Sequence, residues 1–404
     1  MGLIDVSVLF ALLLMLLLGK ILGDFVERFG FSPLIGQMMA GIIIGPMCFG
    51  LVHENHEFDL LFNIAVLFMM FIMGLSVDLE KVMSENVYKA ALISGLGGCV
   101  TFFAAAAITA LLGFNINISL LVGISFISTS TAIGFLVLTK FGDQYSRTFK
   151  TVMSVGITDD ILAMLALSLF LSYLATGVDI ESAFKLFLLV LGFIILVLGF
   201  GRSITEKLIN YSRRADDGQS IISLSMIVLF FVAFLSDSIG VASVTGAFLA
   251  GTILARSPYS YKVITPKIDA VTQGLFVPIF FVYTGVRINL FEILASKRID
   301  LIIGSIPIDV VLFFGLLMAV MTSKYVSTYV SGLLLGGYSN KEMNRMALAM
   351  TPMGEYTLVI GQLGLITTFK GASIITTQIY SVLALIVLVT SIITPILLRK
   401  AYDK

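Results

Sequence analysis

Stretches of about twenty apolar residues follow one another along nearly the whole chain, and that is the length a helix needs to cross a bilayer. Breakers and charged clusters divide them into thirteen expected spans: 3–20, 31–51, 60–77, 88–112, 117–138, 149–175, 183–201, 219–236, 239–255, 268–286, 307–334, 343–367 and 373–398. Polar residues inside these runs are few and clustered. "ISTSTAIG" at 127–134 holds four hydroxyl residues in a row, Ser128 to Thr131. "SVGITDDILAM" at 154–164 holds the adjacent carboxylates Asp159 and Asp160. "TSKYVSTYVSG" at 322–332 holds Lys324, and "MTPMGEY" at 350–356 holds Pro352, Gly354 and Glu355.

The loops set the orientation. With the N-terminus outside, inner segments collect nineteen of the 25 Lys and Arg residues, outer segments five, and Lys324 stays inside a span. Cytoplasmic loops carry such an excess. A wrong span count would switch every later loop and scramble the asymmetry. The reading is therefore a multi-pass protein of the cytoplasmic membrane, N-terminus outside and C-terminus cytoplasmic.

Composition agrees: 58% of the 404 residues are hydrophobic and 12% charged, too few to coat a soluble fold of this size. The zero net charge offers no argument for nucleic acid or an acidic partner. Cys48 and Cys99 lie in apolar runs and suggest neither a disulfide framework nor a metal site. The N-terminus has no basic n-region and no small-residue cleavage site, so the first span reads as retained. The loops are short. A regulatory nucleotide-binding domain is expected only as a separate protein, no soluble partner is implied, and the lipid bilayer is the surrounding partner.

An internal repeat underlies the spans. "MGLSVDLEKV" at 73–82 and "TGVRINLFEI" at 284–293 each close an apolar span, the third and the tenth, with Gly, Val/Ile, Asp/Asn and Leu aligned. Their positions differ by seven, an odd number, so they cross in opposite directions, as in inverted-topology repeats of secondary transporters. Spans 1–6 would match spans 8–13, with span 7 as connector. Spans 5 and 12 then correspond, and both are interrupted, one by the hydroxyl run and one by Pro352 and Gly354. Proline removes a backbone donor, and hydroxyls offer backbone groups alternative bonds. Paired broken helices point to a binding site near the midplane.

Four ionisable side chains fall near span centres: Asp159, Asp160, Lys324 and Glu355. Each costs roughly 2.5–3.5 kcal/mol to insert and marks an ion or proton path by default. A purely structural ion pair explains Lys324 and one aspartate and leaves the other without a partner. Neighbouring helical residues point about 100° apart. One aspartate can face Lys324 while the other faces a cavity. Two carboxylates this close resist carrying two full charges together, so a proton and a small cation compete for the same oxygens. Hydroxyls of Thr129 and Ser130 could complete an oxygen shell for Na+ at Asp160, and Thr158 could add to it from the adjacent turn.

At these residues the chain resembles the Kef/NapA branch of monovalent cation:proton antiporters. "GFSPLIGQMMAGIIIGP" at 30–46 is similar to that family's second span, "IFFVYTGVRINL" at 279–290 to its FFVxxG segment, "GITDDILAM" at 156–164 to its paired-aspartate helix and 322–332 to its lysine helix. The Asp-Asp pair resembles the sodium/proton subgroup, whereas potassium-efflux relatives often carry Gln-Asp.

The resemblance implies an all-α fold of about thirteen transmembrane helices in two inverted repeats with two broken, crossing helices. It implies a scaffold and dimerisation part at 1–86 and 219–298, a core transport part at 87–175 and 299–404, and a connector at 176–218. Asp160 would carry cation and proton, Asp159 would pair with Lys324, and Thr129 and Ser130 would flank the site. Glu355 would match a core glutamate. The implied assembly is a homodimer, and Gly41 and Gly45 would permit close packing of span 2. Relatives often have Arg or Gly before Gly354, where this chain has Met353, so Glu355 lacks its expected partner.

Other signals are weaker. "HENHE" at 53–57 reads as a solvated outer loop rather than a metal site. An intramembrane aspartyl protease needs its aspartates on separate helices, so no enzyme is implied, and no cofactor. The function implied is exchange of Na+ or Li+ for protons by alternating access, with K+/H+ exchange as the alternative and a cation channel after it.

Overall fold

The computed structural model describes residues 6–76, 87–141, 146–176 and 218–402, short of a few single positions, and scattered positions between 188 and 199. The chain runs through α1 (Val6–Arg28), α2 (Pro33–Ile44), α3 (His56–Ser76), α4 (Val87–Leu111), α5 (Ile116–Ser125), α6 (Thr131–Lys140), α7 (Arg147–Thr176), α8 (Gly218–Ser238), α9 (Ser243–Ala255), α10 (Thr265–Val271), α11 (Val277–Val286), α12 (Leu290–Ala295), α13 (Ile308–Leu335), α14 (Asn340–Ala349), α15 (Glu355–Ile366) and α16 (Thr377–Tyr402). Two short antiparallel hairpins interrupt the helices: β1 (Arg298–Leu301) with β2 (Gly304–Pro307), and β3 (Thr368–Phe369) with β4 (Ala372–Ser373).

Among the described residues, 8 helices are long and apolar enough to cross a membrane, and α2, α5, α9 and α15 are shorter apolar helices. The protein is a predominantly helical, polytopic membrane protein. The segment expected at 183–201, the connector at 176–218 and residues 77–82 of the repeat lie outside the described residues, apart from Thr176, Gly218 and the scattered positions.

The short helices have local causes. Pro33 opens α2, where its missing N–H costs nothing, and Gly45 ends it just before Pro46. The spans expected at 117–138 and 343–367 are each broken, as α5 with α6 and α14 with α15. The span expected at 268–286 instead belongs to a longer helical stretch, Ser260–Ala295. Two π-helical turns, Ser260–Ile264 and Thr272–Phe276, flank α10. The first ends just before Pro266 and the second just before Pro278, so the helical stretch continues past both prolines.

The chain divides into two compact units: Met1–Glu54 with Glu85–Ala163 and Phe281–Lys404, and Asn55–Ser84 with Met164–Phe280. In the first, α2 and α11 cross at glycines. A Cβ on Gly41 would stand 1.9 Å from the Val282 carbonyl oxygen, and one on Gly285 would stand 2.1 Å from that of Met38. In the second, α3 and α9 cross in the same manner, Gly74 against the Phe248 carbonyl at 2.1 Å and Gly251 against that of Phe71 at 2.2 Å. Such backbone approach is what small residues provide in membrane bundles.

The helices that carry the broken spans share a core in the first unit. Ala90 and Ile93 of α4, Val137 and Leu138 of α6, Val152 and Val155 of α7, Met346 and Ala349 of α14 and Leu398 of α16 pack together, all nearly inaccessible. This cluster fixes α6, α7 and α14 beside one another, and so holds the breaks in register with the aspartate helix.

The glycine crossings yield a prediction. Gly41→Leu forces a side chain into backbone and should lower stability by about 1–3 kcal/mol or more, whereas Gly95→Ala, with nothing within 4 Å of its Cβ position, should be neutral. Melting of the two purified variants in detergent checks the contrast.

Candidate functional site

The two breaks meet. The Ser130 N–H donates to the Pro352 carbonyl at 2.8 Å. The approach depends on Gly354, whose Cβ would lie 2.9 Å from that of Ser130. The half-helix ends are closed by side chains rather than by their own ladders. Thr357 Oγ1 donates to the Ser125 carbonyl at 2.8 Å, and the Met353 N–H donates to Thr390 Oγ1 at 3.1 Å. α7 lies tightly against the first break, because a Cβ on Gly156 would fall 1.7 Å from Thr131 Cγ2. Gly156 is one turn before Asp160, so this contact presses the paired carboxylates onto the break.

Asp159, Asp160 and Lys324 are 1%, 4% and 1% exposed. Lys324 Nζ contacts Asp159 Oδ2 at 2.7 Å and donates to the Ile127 carbonyl at 2.5 Å. That carbonyl belongs to the break after α5, so the ammonium neutralises Asp159 and satisfies a freed backbone acceptor together. Asp159 accepts two more bonds, from Thr129 Oγ1 at 2.8 Å and from Ser94 Oγ at 2.5 Å. Hydrogen bonds to charged groups contribute about 1.5–3 kcal/mol each, so three donors offset a desolvation cost of several kcal/mol.

Asp160 is treated differently. Among the described residues its one hydrogen bond comes from Ser128 Oγ, at 2.5 Å to Oδ1. Lys324 and Glu355 lie within electrostatic reach. One carboxylate is thus saturated by donors, while its neighbour keeps lone pairs open.

The expected site residues divide accordingly. Thr129 lies on Asp159, not on Asp160. Ser130 is 1% exposed, and its hydroxyl has no hydrogen-bond partner among the described residues. Thr158 Oγ1 turns back to the Ser154 carbonyl of its own helix at 2.8 Å, so it is not brought to the carboxylates. Glu355 is half-buried in the first turn of α15. A helix N-terminus favours a carboxylate there, and among the described residues no Lys or Arg pairs with it. Met353, standing where relatives often have Arg, is fully buried.

Three contacts escaped the sequence reading: Ser94, Ser128 and the Ile127 carbonyl. Ser94 is a lone hydroxyl in an apolar span, and nothing local distinguishes it from a serine bonded to its own helix. Ser128 stood in the hydroxyl run, and only the turn of the broken backbone decides which of Ser128 and Thr129 meets which aspartate.

Away from the site, Glu54 of the "HENHE" loop faces Arg287, Oε2 to Nε 3.6 Å. Among the described residues no three His, Cys, Asp or Glu side chains gather as for a metal.

Comparison with known proteins gives the family and the fold. The family model described as "Sodium/hydrogen exchanger, transmembrane" matches residues 12–400. The chain is 26% identical over 394 residues to the Na(+)/H(+)-K(+) antiporter GerN of Bacillus cereus, covering 97% of this chain and 96% of that one. It is also 26% identical over 395 residues to a Na(+)/H(+) antiporter of Enterococcus hirae, covering 96% of each. Its fold is similar to that of the sodium proton antiporter MjNhaP1 from Methanocaldococcus jannaschii at pH 8, with a TM-score of 0.71, 16% identity, and 98% and 96% of the two chains covered. The comparisons carry the cation:proton antiporter class, and the Kef/NapA branch named from the motifs is a looser assignment within it. With nearly its whole length matched, the chain belongs to the transmembrane sodium/hydrogen exchanger family.

Proposed function

We propose that the protein is a secondary active antiporter that exchanges Na+ or Li+ for protons across the cytoplasmic membrane, with Asp160 as the carboxylate on which cation and proton alternate. The observation that carries this reading is the unequal treatment of two adjacent buried carboxylates. Asp159 is held by Lys324, Thr129 and Ser94, whereas among the described residues Asp160 accepts from Ser128 alone. A carboxylate with open lone pairs, sunk where charge is costly, is neutralised by a proton or by a small cation and not by both. Loaded with either, the site can pass between the two sides of the membrane. Empty and charged, it cannot. That exclusion couples the two fluxes.

Lys324 anchors the exchange. It holds Asp159 in place, and through the Ile127 carbonyl it ties the lysine helix to the broken one. Ser128 orients Asp160, and Ser130 stands beside it on the same break. Glu355 acts from α15 through its field at Asp160, in place of an Arg–Glu pair. K+ exchange, which the name of the Bacillus relative includes for that protein, is the other outcome of the flux experiment below.

The wider architecture belongs to the same proposal: thirteen spans, N-terminus outside, two inverted repeats, a scaffold at 1–86 and 219–298, a core at 87–175 and 299–404, and a homodimer. The glycines support the repeat. Moving the first-half pattern onto the second turns the Gly41–Gly285 crossing into the Gly251–Gly74 crossing. It also turns Gly36, packed against Leu22, into Gly246, packed against Val232. The turns that precede these helices repeat as well, through Gly30 at φ 82° and Gly240 at φ 83°.

Three outcomes are expected. Proteoliposomes with an acidic interior and a pH dye should respond to Na+ or Li+, and Asp160→Asn should abolish the response, whereas a response to K+ alone moves the protein to K+ exchange. If proton and cation share one site, the apparent KM for Na+ should climb as pH falls, by up to about tenfold per pH unit. A KM flat across pH 6 to 9 would refute a shared site. Lys324→Met strands the Asp159 charge and should cost about 3–5 kcal/mol, much of it regained in Asp159→Asn/Lys324→Met, as thermal melting of purified protein would report.

A further inference from the structure

Hydroxyl groups crowd the paired aspartates, and nearly all are spent. Ser94 and Thr129 donate to Asp159, Ser128 donates to Asp160, and Thr158 and Thr357 donate to backbone carbonyls. Two are not. Among the described residues Ser130 Oγ and Tyr356 Oη are buried without a hydrogen-bond partner. The two residues sit on opposite breaks, at the place where the Ser130 N–H meets the Pro352 carbonyl and Gly354 packs on Ser130. Tyr356 is 3% exposed, in the first turn of α15 directly after Glu355. Its phenol lies within electrostatic reach of the Asp160 and Glu355 carboxylates.

A buried tyrosine hydroxyl normally finds a partner, and leaving it without one costs about 1–3 kcal/mol. Two such oxygens, on residues that meet where the breaks cross and where Ser128 holds the carboxylate that keeps open lone pairs, offer the start of an incomplete shell. We infer that Tyr356 Oη, together with Ser130 Oγ, ligates the transported cation at Asp160, and that Tyr356 helps set which cation the site accepts.

The inference rests on the antiport reading and adds to it a ligand from the second break. Each hydroxyl oxygen offers a neutral lone pair to a hard cation while Asp160 supplies the charge. When a proton takes the cation's place, the Asp160 carboxyl can donate its O–H to one of the same oxygens, so that oxygen is used in both loaded states. No bond other than these coordination and hydrogen bonds forms or breaks. Because one ligand stands on each break, the loaded site ties α6 to α15 through the cation. Tyr356 is also well suited to discriminate between cations. Its oxygen sits at the end of a rigid ring, and a larger ion would have to push the ring against α15 or forgo the ligand.

Tyr356→Phe tests this with a single lost oxygen. Removing an unpartnered buried hydroxyl leaves packing intact, so the variant should melt at or above the wild-type temperature. Wild type, Tyr356→Phe, Ser130→Ala and Asp160→Asn would be compared in proteoliposomes with NaCl, LiCl and KCl, and melting would be followed against NaCl concentration. Tyr356→Phe should raise the apparent KM for Na+ about five- to tenfold, the loss of one ligand's worth of binding, leave the maximal rate within about twofold, and alter the Na+ to Li+ preference. Stabilisation by NaCl should need correspondingly more salt. Unchanged KM, preference and salt stabilisation in Tyr356→Phe, with wild type active and Asp160→Asn silent, would overturn the inference and leave the antiport reading standing. A fall in maximal rate with KM unmoved would overturn it too, since that marks a structural effect on turnover. Wild type silent with all three salts would remove the antiport reading, and this inference with it.

Discussion

A charge held in the middle of a membrane bundle must be matched there, because no water is at hand to solvate it. Lys324 meets that constraint by taking two acceptors, the Asp159 carboxylate and the Ile127 carbonyl. The first neutralises it, and the second exists only because the helix is broken after Ser125. The break therefore does more than open space. It supplies a backbone acceptor at the depth where the ammonium lies, while Thr129, on the same break, gives Asp159 a further donor. Ion pair and broken helix each make the other tolerable.

The two breaks also depend on one another. Pro352 ends the α14 ladder and turns its carbonyl to Ser130, and Gly354 leaves room for that contact. Thr357 returns the favour by capping the Ser125 carbonyl. A displacement of either crossing helix is thus felt by the other, and by Asp160 through Gly156 and Thr131. The tight backbone crossings at Gly41 with Gly285, and at Gly74 with Gly251, are of a different kind. They are close-packed and free of charge, which suits elements that stay fixed.

What could be read along the chain was whatever stands out against an apolar background. The paired aspartates, Lys324 and the two interruptions are visible because each violates the pattern of its own span at known cost. The loops reveal orientation because Lys and Arg are counted one loop at a time. The division of labour between Asp159 and Asp160 was half visible: adjacent helical positions must diverge, but which one meets the lysine came from resemblance to a family and not from spacing.

The hydroxyls lay beyond such reading. Thr129 and Ser130 were grouped at Asp160 from the interrupted span and Thr158 from the adjacent turn, and the structure separates them: Thr129 donates to Asp159, Thr158 to its own helix, and Ser130 has no hydrogen bond among the described residues. Ser94 carries no local mark, and Tyr356 reads as one more aromatic in an apolar helix. A hydroxyl is cheap enough to bury that it leaves no signature, and its partner is chosen by helices packed from distant parts of the chain. The sequence by itself determined that the protein spans the membrane many times and carries charges there, because burying charge is expensive and the exceptions are conspicuous. The tertiary structure alone decided which carboxylate is saturated and which is left open, because that choice rests on bonds of a few kcal/mol whose partners lie up to 165 residues apart.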